Sequence, residues 1–91
     1  MPLLREQVPI KPVSVLSILR SAGFRGGFTD ARARRTFGVD NQPNLNEQWD
    51  YERGWTFARL YPSVALLDFS GRISQRALQL ATVAFRDGTL L

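Results

Sequence analysis

The longest stretch of helical hydrophobic period lies between residues 44 and 62, Asn-Leu-Asn-Glu-Gln-Trp-Asp-Tyr-Glu-Arg-Gly-Trp-Thr-Phe-Ala-Arg-Leu-Tyr-Pro. It holds both tryptophans and both tyrosines of the chain. Asn44 suits an N-cap, and Glu47 three residues on can reach back as in a capping box. Pro62 supplies no ladder N–H and disfavours helical geometry at Tyr61. The pattern therefore predicts a helix over Leu45–Leu60. At 100° per residue, Leu45, Trp49, Thr56 and Leu60 share one face, and Tyr51, Gly54, Trp55 and Ala58 another. Gln48, Glu52 and Arg59 form a narrow polar strip between them. A helix this broadly apolar should touch neighbours on two sides. Gly54 costs about 1 kcal/mol relative to Ala in a helix interior, and close approach of another backbone is a reason to keep it. Simple tolerance is the alternative.

Upstream, Phe24, Phe28 and Ala31 recur at helical spacing through a segment that ends in Arg32-Ala33-Arg34-Arg35. Gly23, Gly26 and Gly27 weaken that helix but thin one surface, so that a neighbouring helix can come near. Thr36 to Pro43 reads as a short connection, which favours antiparallel, touching flanks. Val13 to Ala22 fits either a strand or a short helix; the helix is preferred, with Ser14 as cap and Gly23 as terminator. Residues 1–12 carry Pro2, Pro9 and Pro12 and read as an extended arm. Beyond Pro62, residues 63–73 suit either a short extended segment turning at Ser70-Gly71 or a helix. Ser74 is then a good N-cap for a helix over Gln75–Arg86, with Leu78, Ala81 and Phe85 on one stripe and Gly88 closing it. Leu90 and Leu91 either fold back or meet a partner. The expected fold class is mainly α: a small helical domain (residues 13–91) built on an antiparallel helical hairpin with an additional C-terminal helix covering its other side.

Composition narrows the chemistry. Ninety-one residues make one domain. The chain has no cysteine and no histidine, which removes disulfides, thiolates, imidazole bases and Cys/His zinc sites. The eight acidic residues show no clustered ligand spacing, so no metal or cofactor is expected. Asp50 and Glu52 do not share a helical face, and Glu47 and Asp50 suit a helix start better than acid–base chemistry. No catalytic residue is assigned. Without a signal peptide or long apolar run, a soluble cytoplasmic protein with no membrane contact is expected.

The net charge is +4, and eleven of the twelve basic residues are arginine. The planar guanidinium suits phosphate and stacks on bases or aromatic rings. Arg32, Arg34 and Arg35, with Arg20 and Arg25 upstream, form the densest positive run, offset by Asp30 alone. They read equally as a phosphate-binding patch or as a solvated helix end favoured by the dipole. On the central helix, an exposed Tyr51 or Trp55 rimmed by Arg53 and Arg59 would suit a binding hot spot.

The order Gly23-Phe24-Arg25-Gly26-Gly27-Phe28-Thr29-Asp30-Ala31-Arg32, then Pro43, Trp49, Gly54-Trp55 and Ala58, resembles the ribosome modulation factor family. Its members carry a glycine-spaced, basic-ended first helix, a proline loop and a tryptophan-bearing second helix. The resemblance covers residues 23–58. Gln42 stands where the family has a cysteine before the proline, and the family's basic leader is replaced by the nearly neutral Val13–Leu19. The resemblance implies a two-helix module that binds the small ribosomal subunit near the end of its RNA and promotes ribosome hibernation.

Three function classes follow. The first is a non-enzymatic RNA- or ribosome-binding module, with ribosomal RNA or the small subunit as partner and Arg32, Arg34 and Arg35 as principal contacts. The second is a small inhibitor or adaptor, such as mobile elements encode, that binds an acidic protein through its aromatic and arginine surface. A helix-turn-helix DNA binder ranks last, because the loop is too long and carries a proline.

Overall fold

A computed structural model describes residues 12–90, with side chains from Val15 onward. The expected extended arm falls on residues 1–11, outside the described residues, apart from Pro12. That proline opens the first helix, at a position where its missing N–H costs nothing. The described residues form four α-helices: α1 (Pro12–Arg20), α2 (Ala22–Arg32), α3 (Leu45–Leu60) and α4 (Gln75–Arg86). The fold class is the expected one, a small, mainly helical domain in which two consecutive helices, α2 and α3, fold onto each other along their length and a C-terminal helix follows.

Gly23 does not terminate α1. The chain breaks for one residue at Ser21, whose hydroxyl caps the next helix by accepting from the Phe24 N–H at 3.0 Å. Gly23 therefore lies in the first turn of α2, where its N–H donates to the Glu47 carboxylate at 2.6 Å. Glu47 thus satisfies an orphan donor of the neighbouring helix rather than completing a capping box on its own. The Asn44 cap forms as expected, accepting from the Glu47 N–H at 2.9 Å.

The direction of α3 differs from the antiparallel expectation. Gly23 lies against Glu47, Gly27 against Tyr51 and Trp55, Phe28 against Phe57, and Arg32 against Tyr61. Contacts that advance in step along both chains mean that α2 and α3 run the same way. The return run of residues 33–44 makes this possible. Its twelve residues reach roughly 40 Å when extended, and α2 is only about 16 Å long. A short 3₁₀ turn, Val39–Asn41, sits within it. Phe37 pins the run to α3, packing on Tyr51 and Trp55 with ring centroids 5.5 and 5.0 Å apart.

Glycine sets the closeness of the α2–α3 contact. A Cβ on Gly27 would lie 1.9 Å from the Tyr51 carbonyl oxygen, and one on Gly54 2.0 Å from that of Phe24. Both side-chain-free positions therefore mark backbone-to-backbone approach, and Gly54 is not there by tolerance. Around them Phe24, Phe28, Phe57 and Ala58 form one half of the core. Val15 and Leu19 of α1, Ala77, Ala81, Ala84 and Phe85 of α4, and Leu66 and Leu90 complete it.

The C-terminal helix does not cover the second face of α3. It packs chiefly on α1, and it meets α3 where the Arg53 guanidinium lies over the Phe85 ring, 5.7 Å from its centroid. Leu45, Trp49 and Leu60 stay exposed. The three alanines at i, i+4 and i+7 explain the choice: they give α4 a flat face that suits close packing on another helix. Residues 63–73 are not helical: they run through turns and bends, with an isolated antiparallel bridge between Leu67 and Ile73 closing a turn around Ser70-Gly71. Ser74 caps α4 through the Ala77 N–H. Gly88, at φ 80°, ends it: the Gly88 N–H donates to Phe85 O and the Thr89 N–H to Ala84 O, a Schellman turn. That turn folds Leu90 back into the core, whereas Leu91 lies outside the described residues.

Candidate nucleic-acid interface

The run Arg32, Arg34, Arg35 does not form one patch. The helix ends at Arg32, with Ala33 as its C-cap. Arg32 turns inward. Its Nη2 donates to the carbonyls of Tyr61 and Val64, both at 2.6 Å, so it supplies the donors that the C-terminal end of α3 lacks. Its guanidinium also sits over the Phe28 ring, 4.3 Å from the centroid. Burial pulls its pKa down from the ordinary arginine range, and Nε finds no partner among the described residues. The sequence hint was available: a basic side chain at a helix end suits carbonyls as well as phosphates.

Arg35 turns the other way. Its Nη1 donates to Asp30 at 3.0 Å, and the other Asp30 oxygen accepts from the Tyr51 hydroxyl at 2.6 Å. These two bonds, Tyr51's first, hold the Asp30 carboxyl below its ordinary range. The same hydroxyl accepts from the Gly38 N–H at 2.9 Å, tying the return run to the helix pair. Tyr51 is 1% exposed, and burial followed by the Asp30 bond raises its pKa. It is therefore a buried cross-link rather than an exposed hot spot. Trp55 is half-buried beneath Phe37. Arg53 instead pairs with Asp50 at 3.0 Å and lies over Trp49, 5.8 Å from the ring centroid. The exposed aromatics are Trp49 (51%), Phe37 and, at the tip of the 68–72 turn, Phe69.

Arg34 occupies the C′ position of α2 at φ 59°, the left-handed region that favours glycine. The Arg34 N–H donates to Ala31 O and the Arg35 N–H to Asp30 O, so this too is a Schellman turn, built on an arginine. A bulky residue there costs about 1 kcal/mol or more.

A different arrangement of arginines emerges along the outer side of α2. Three depressions that share residues run from it to the α2–α3 seam. The first, about 310 Å³, lies among Arg20, Arg25 and Arg72, over Leu67 and Ile73. The second, about 540 Å³, shares Arg25 and Leu67 with it and is lined by the buried Phe28 and Leu66 and the exposed Ala33 and Ala65. The third shares Arg32 with the second and is flanked by Arg34, Arg59 and Pro62. Six arginines, from α1, α2, the start of the return run, α3 and the 63–73 segment, thus border three depressions that share residues, and no carboxylate takes part in any of the three linings. The helix wheel explains the segregation. Arg25, Thr29 and Arg32 project within about 60° of one another, whereas Asp30 points to the opposite flank. Asp68 is engaged by the Ser70 hydroxyl and by the Ser70 and Arg72 backbone N–H groups, and these, the hydroxyl most, together with the nearby Arg72 charge lower its pKa. Sequence reasoning found Arg20, Arg25, Arg34 and Arg59 but missed Arg72, which lies far from them along the chain.

Among the described residues no three acidic groups come together to hold a metal ion, and no helix is long and apolar enough to cross a membrane. No family model matches the chain, and no curated protein and no solved structure matches it either.

Proposed function

We propose that the protein is a non-enzymatic module that binds RNA along the outer side of α2. One observation carries this reading: six arginines border three continuous depressions from which carboxylates are absent. Exposed guanidinium groups around neighbouring depressions, with Arg20, Arg25, Arg34, Arg59 and Arg72 all at the surface, suit the charge of a phosphate backbone. Arg34 adds weight, because an arginine is kept where the backbone favours glycine, and strain of that kind accompanies functional positions. The resemblance to ribosome modulation factor points to ribosomal RNA or the small ribosomal subunit as the partner.

Titrating a labelled oligoribonucleotide at several salt concentrations tests this. Replacing Arg20, Arg25 and Arg72 together by Gln should weaken binding and flatten its salt dependence, by about 0.7 in log–log slope for each phosphate no longer neutralised. Arg35→Gln should change the slope little, since Arg35 is engaged by Asp30. No association with RNA or with ribosomal subunits at low salt would overturn the proposal. The exposed Leu45, Trp49 and Leu60 of α3 would then favour the second function, a protein-binding adaptor, and Trp49→Ala would be the variant to assay against a captured partner.

A further inference from the structure

The three depressions differ in character, and their order carries chemistry. The outer two are bordered by arginines that extend into solvent: Arg20, Arg25 and Arg72 at one end, Arg34 and Arg59 at the other. The middle one is floored by apolar side chains. Arg32 lines it as well, and its guanidinium is held in place by two carbonyls and by the Phe28 ring beneath it. Resting on the proposed RNA-binding function, we infer that the middle depression is a subsite for an unpaired nucleobase, so that the ligand is single-stranded RNA gripped by its phosphates on either side.

A duplex cannot satisfy this arrangement, because its bases are stacked inward and a helical backbone offers no flat apolar group to fill a hollow between two charged ones. A single strand presents both: phosphates for exposed arginines, and bases that splay out to stack on apolar side chains or guanidinium planes. Arg32 suits the stacking role because the fold already fixes its position. It serves the C-terminal end of α3 whether or not RNA is present, so no side-chain freedom is lost on binding. Arg25 borders both the first and the middle depressions, and so can bridge the phosphate preceding the base and the edge of the base itself. An acidic peptide would match the outer arginines but brings no planar group for the centre.

The test uses the whole chain and four labelled probes at matched salt: a short single strand of mixed sequence, the same strand with abasic residues, the matching duplex, and polyglutamate. The natural single strand should bind roughly tenfold or more tightly than the abasic one, in keeping with the contribution of a stacked base. Filling the hollow through the exposed Ala33→Leu and Ala65→Leu together should abolish that preference and leave the salt slope unchanged. Equal affinity for natural and abasic strands would overturn the subsite while leaving the arginine track standing. So would a duplex bound as tightly as the single strand. Polyglutamate binding as tightly as RNA would reduce the whole surface to a general anion patch and overturn the subsite with it. Absence of binding to every probe at low salt would overturn the RNA-binding function itself. The abasic comparison on the unmodified protein decides the matter even if the double variant fails to fold.

Discussion

The two sides of α2 are built on opposite rules. Toward α3 it presents Gly23 and Gly27, and the two backbones close to a distance at which a methyl group has no room. Away from that seam it presents Arg25 and Thr29 over open depressions, and at its end Arg32, which lines two of them while its guanidinium reaches back to the end of α3. The first side gives its positions over to close packing and tolerates no added atom. The second keeps long, charged side chains that the fold uses only at Arg32. One helix of eleven residues thus separates what holds the protein together from what faces a partner. If that separation is real, substitutions on one side should change stability, and those on the other should change binding.

The largest effect is expected at Gly27. A Cβ there meets the Tyr51 carbonyl at 1.9 Å and the Trp55 nitrogen at 2.9 Å. Backbone atoms of a helix cannot swing aside as a flexible side chain can, so the helices must separate. Gly27→Ala should cost about 3 kcal/mol or more, at or above the upper end of ordinary overpacking. Gly54→Ala should behave alike, since its Cβ would lie 2.0 Å from the Phe24 carbonyl oxygen. Denaturant unfolding gives the number. A loss below about 1 kcal/mol at both positions would mean that the helix pair slides apart cheaply, and the contrast between the two sides would dissolve.

Tyr51→Phe comes next. It removes the hydroxyl that donates to Asp30 and accepts from the Gly38 N–H, at a site 1% exposed. A buried bond to a charged group is worth about 1.5–3 kcal/mol, so a loss of about 2 kcal/mol is expected. The pH dependence identifies the cause. The folded pKa of Asp30 is depressed, chiefly by Tyr51 and then by Arg35. Its stabilisation is therefore fully present above the unfolded value of about 3.9 and is lost as pH falls through the lower folded value. The gap between wild type and Tyr51→Phe should narrow below about pH 4. A gap independent of pH would place the loss in packing instead.

Much of the α2–α3 contact was legible in advance. The bounds of α3, the Asn44 cap, the packing role of Gly54 and the thinning of α2 by glycine follow from local rules, because caps and close approach leave marks on single residues. Direction did not follow. A twelve-residue connection permits either a turn or a return run, and what fixes it is a phenol hydroxyl meeting Gly38 and Asp30 from different parts of the chain. The site was harder for the same reason. Arg32, Arg34 and Arg35 are neighbours in sequence, yet Arg32 turns inward to backbone carbonyls, Arg34 borders the depression beside it and Arg35 turns away to Asp30, because the helix ends between them and a left-handed residue reverses the chain. Arg72 joins Arg20 and Arg25 through the turn closed by the bridge between Leu67 and Ile73, which no periodicity announces.

Arg34 allows the separation to be sharpened, since there the two demands conflict. At φ 59° an arginine carries a backbone penalty that glycine does not. Arg34→Gly should raise stability by about 1 kcal/mol while weakening RNA binding and lowering the salt slope by about 0.7, the share of one phosphate. Thermal or denaturant unfolding reads the first effect and anisotropy titration the second. A stabilised variant that binds RNA as well as wild type would remove Arg34 from the track and leave its strain without a functional reason.

The smallest effect tests how narrow the tight side is. Gly26 lies between the two glycine contacts in sequence but on a different flank of α2, and a Cβ there would sit 3.7 and 3.8 Å from two ring carbons of Tyr51. That is ordinary van der Waals contact, so nothing needs to move. Alanine also restricts the unfolded chain more than glycine and favours the helix, together worth up to about 1 kcal/mol. Gly26→Ala should therefore stabilise the protein by about 0.5–1 kcal/mol, the opposite sign to its neighbour Gly27→Ala. RNA binding should not change, because Gly26 borders none of the three depressions. A destabilised Gly26→Ala would show that the Tyr51 ring, held between Asp30 and Gly38, needs space on that flank as well. The close-packed surface of α2 would then extend beyond the Gly23–Gly27 stripe to the residue beside it.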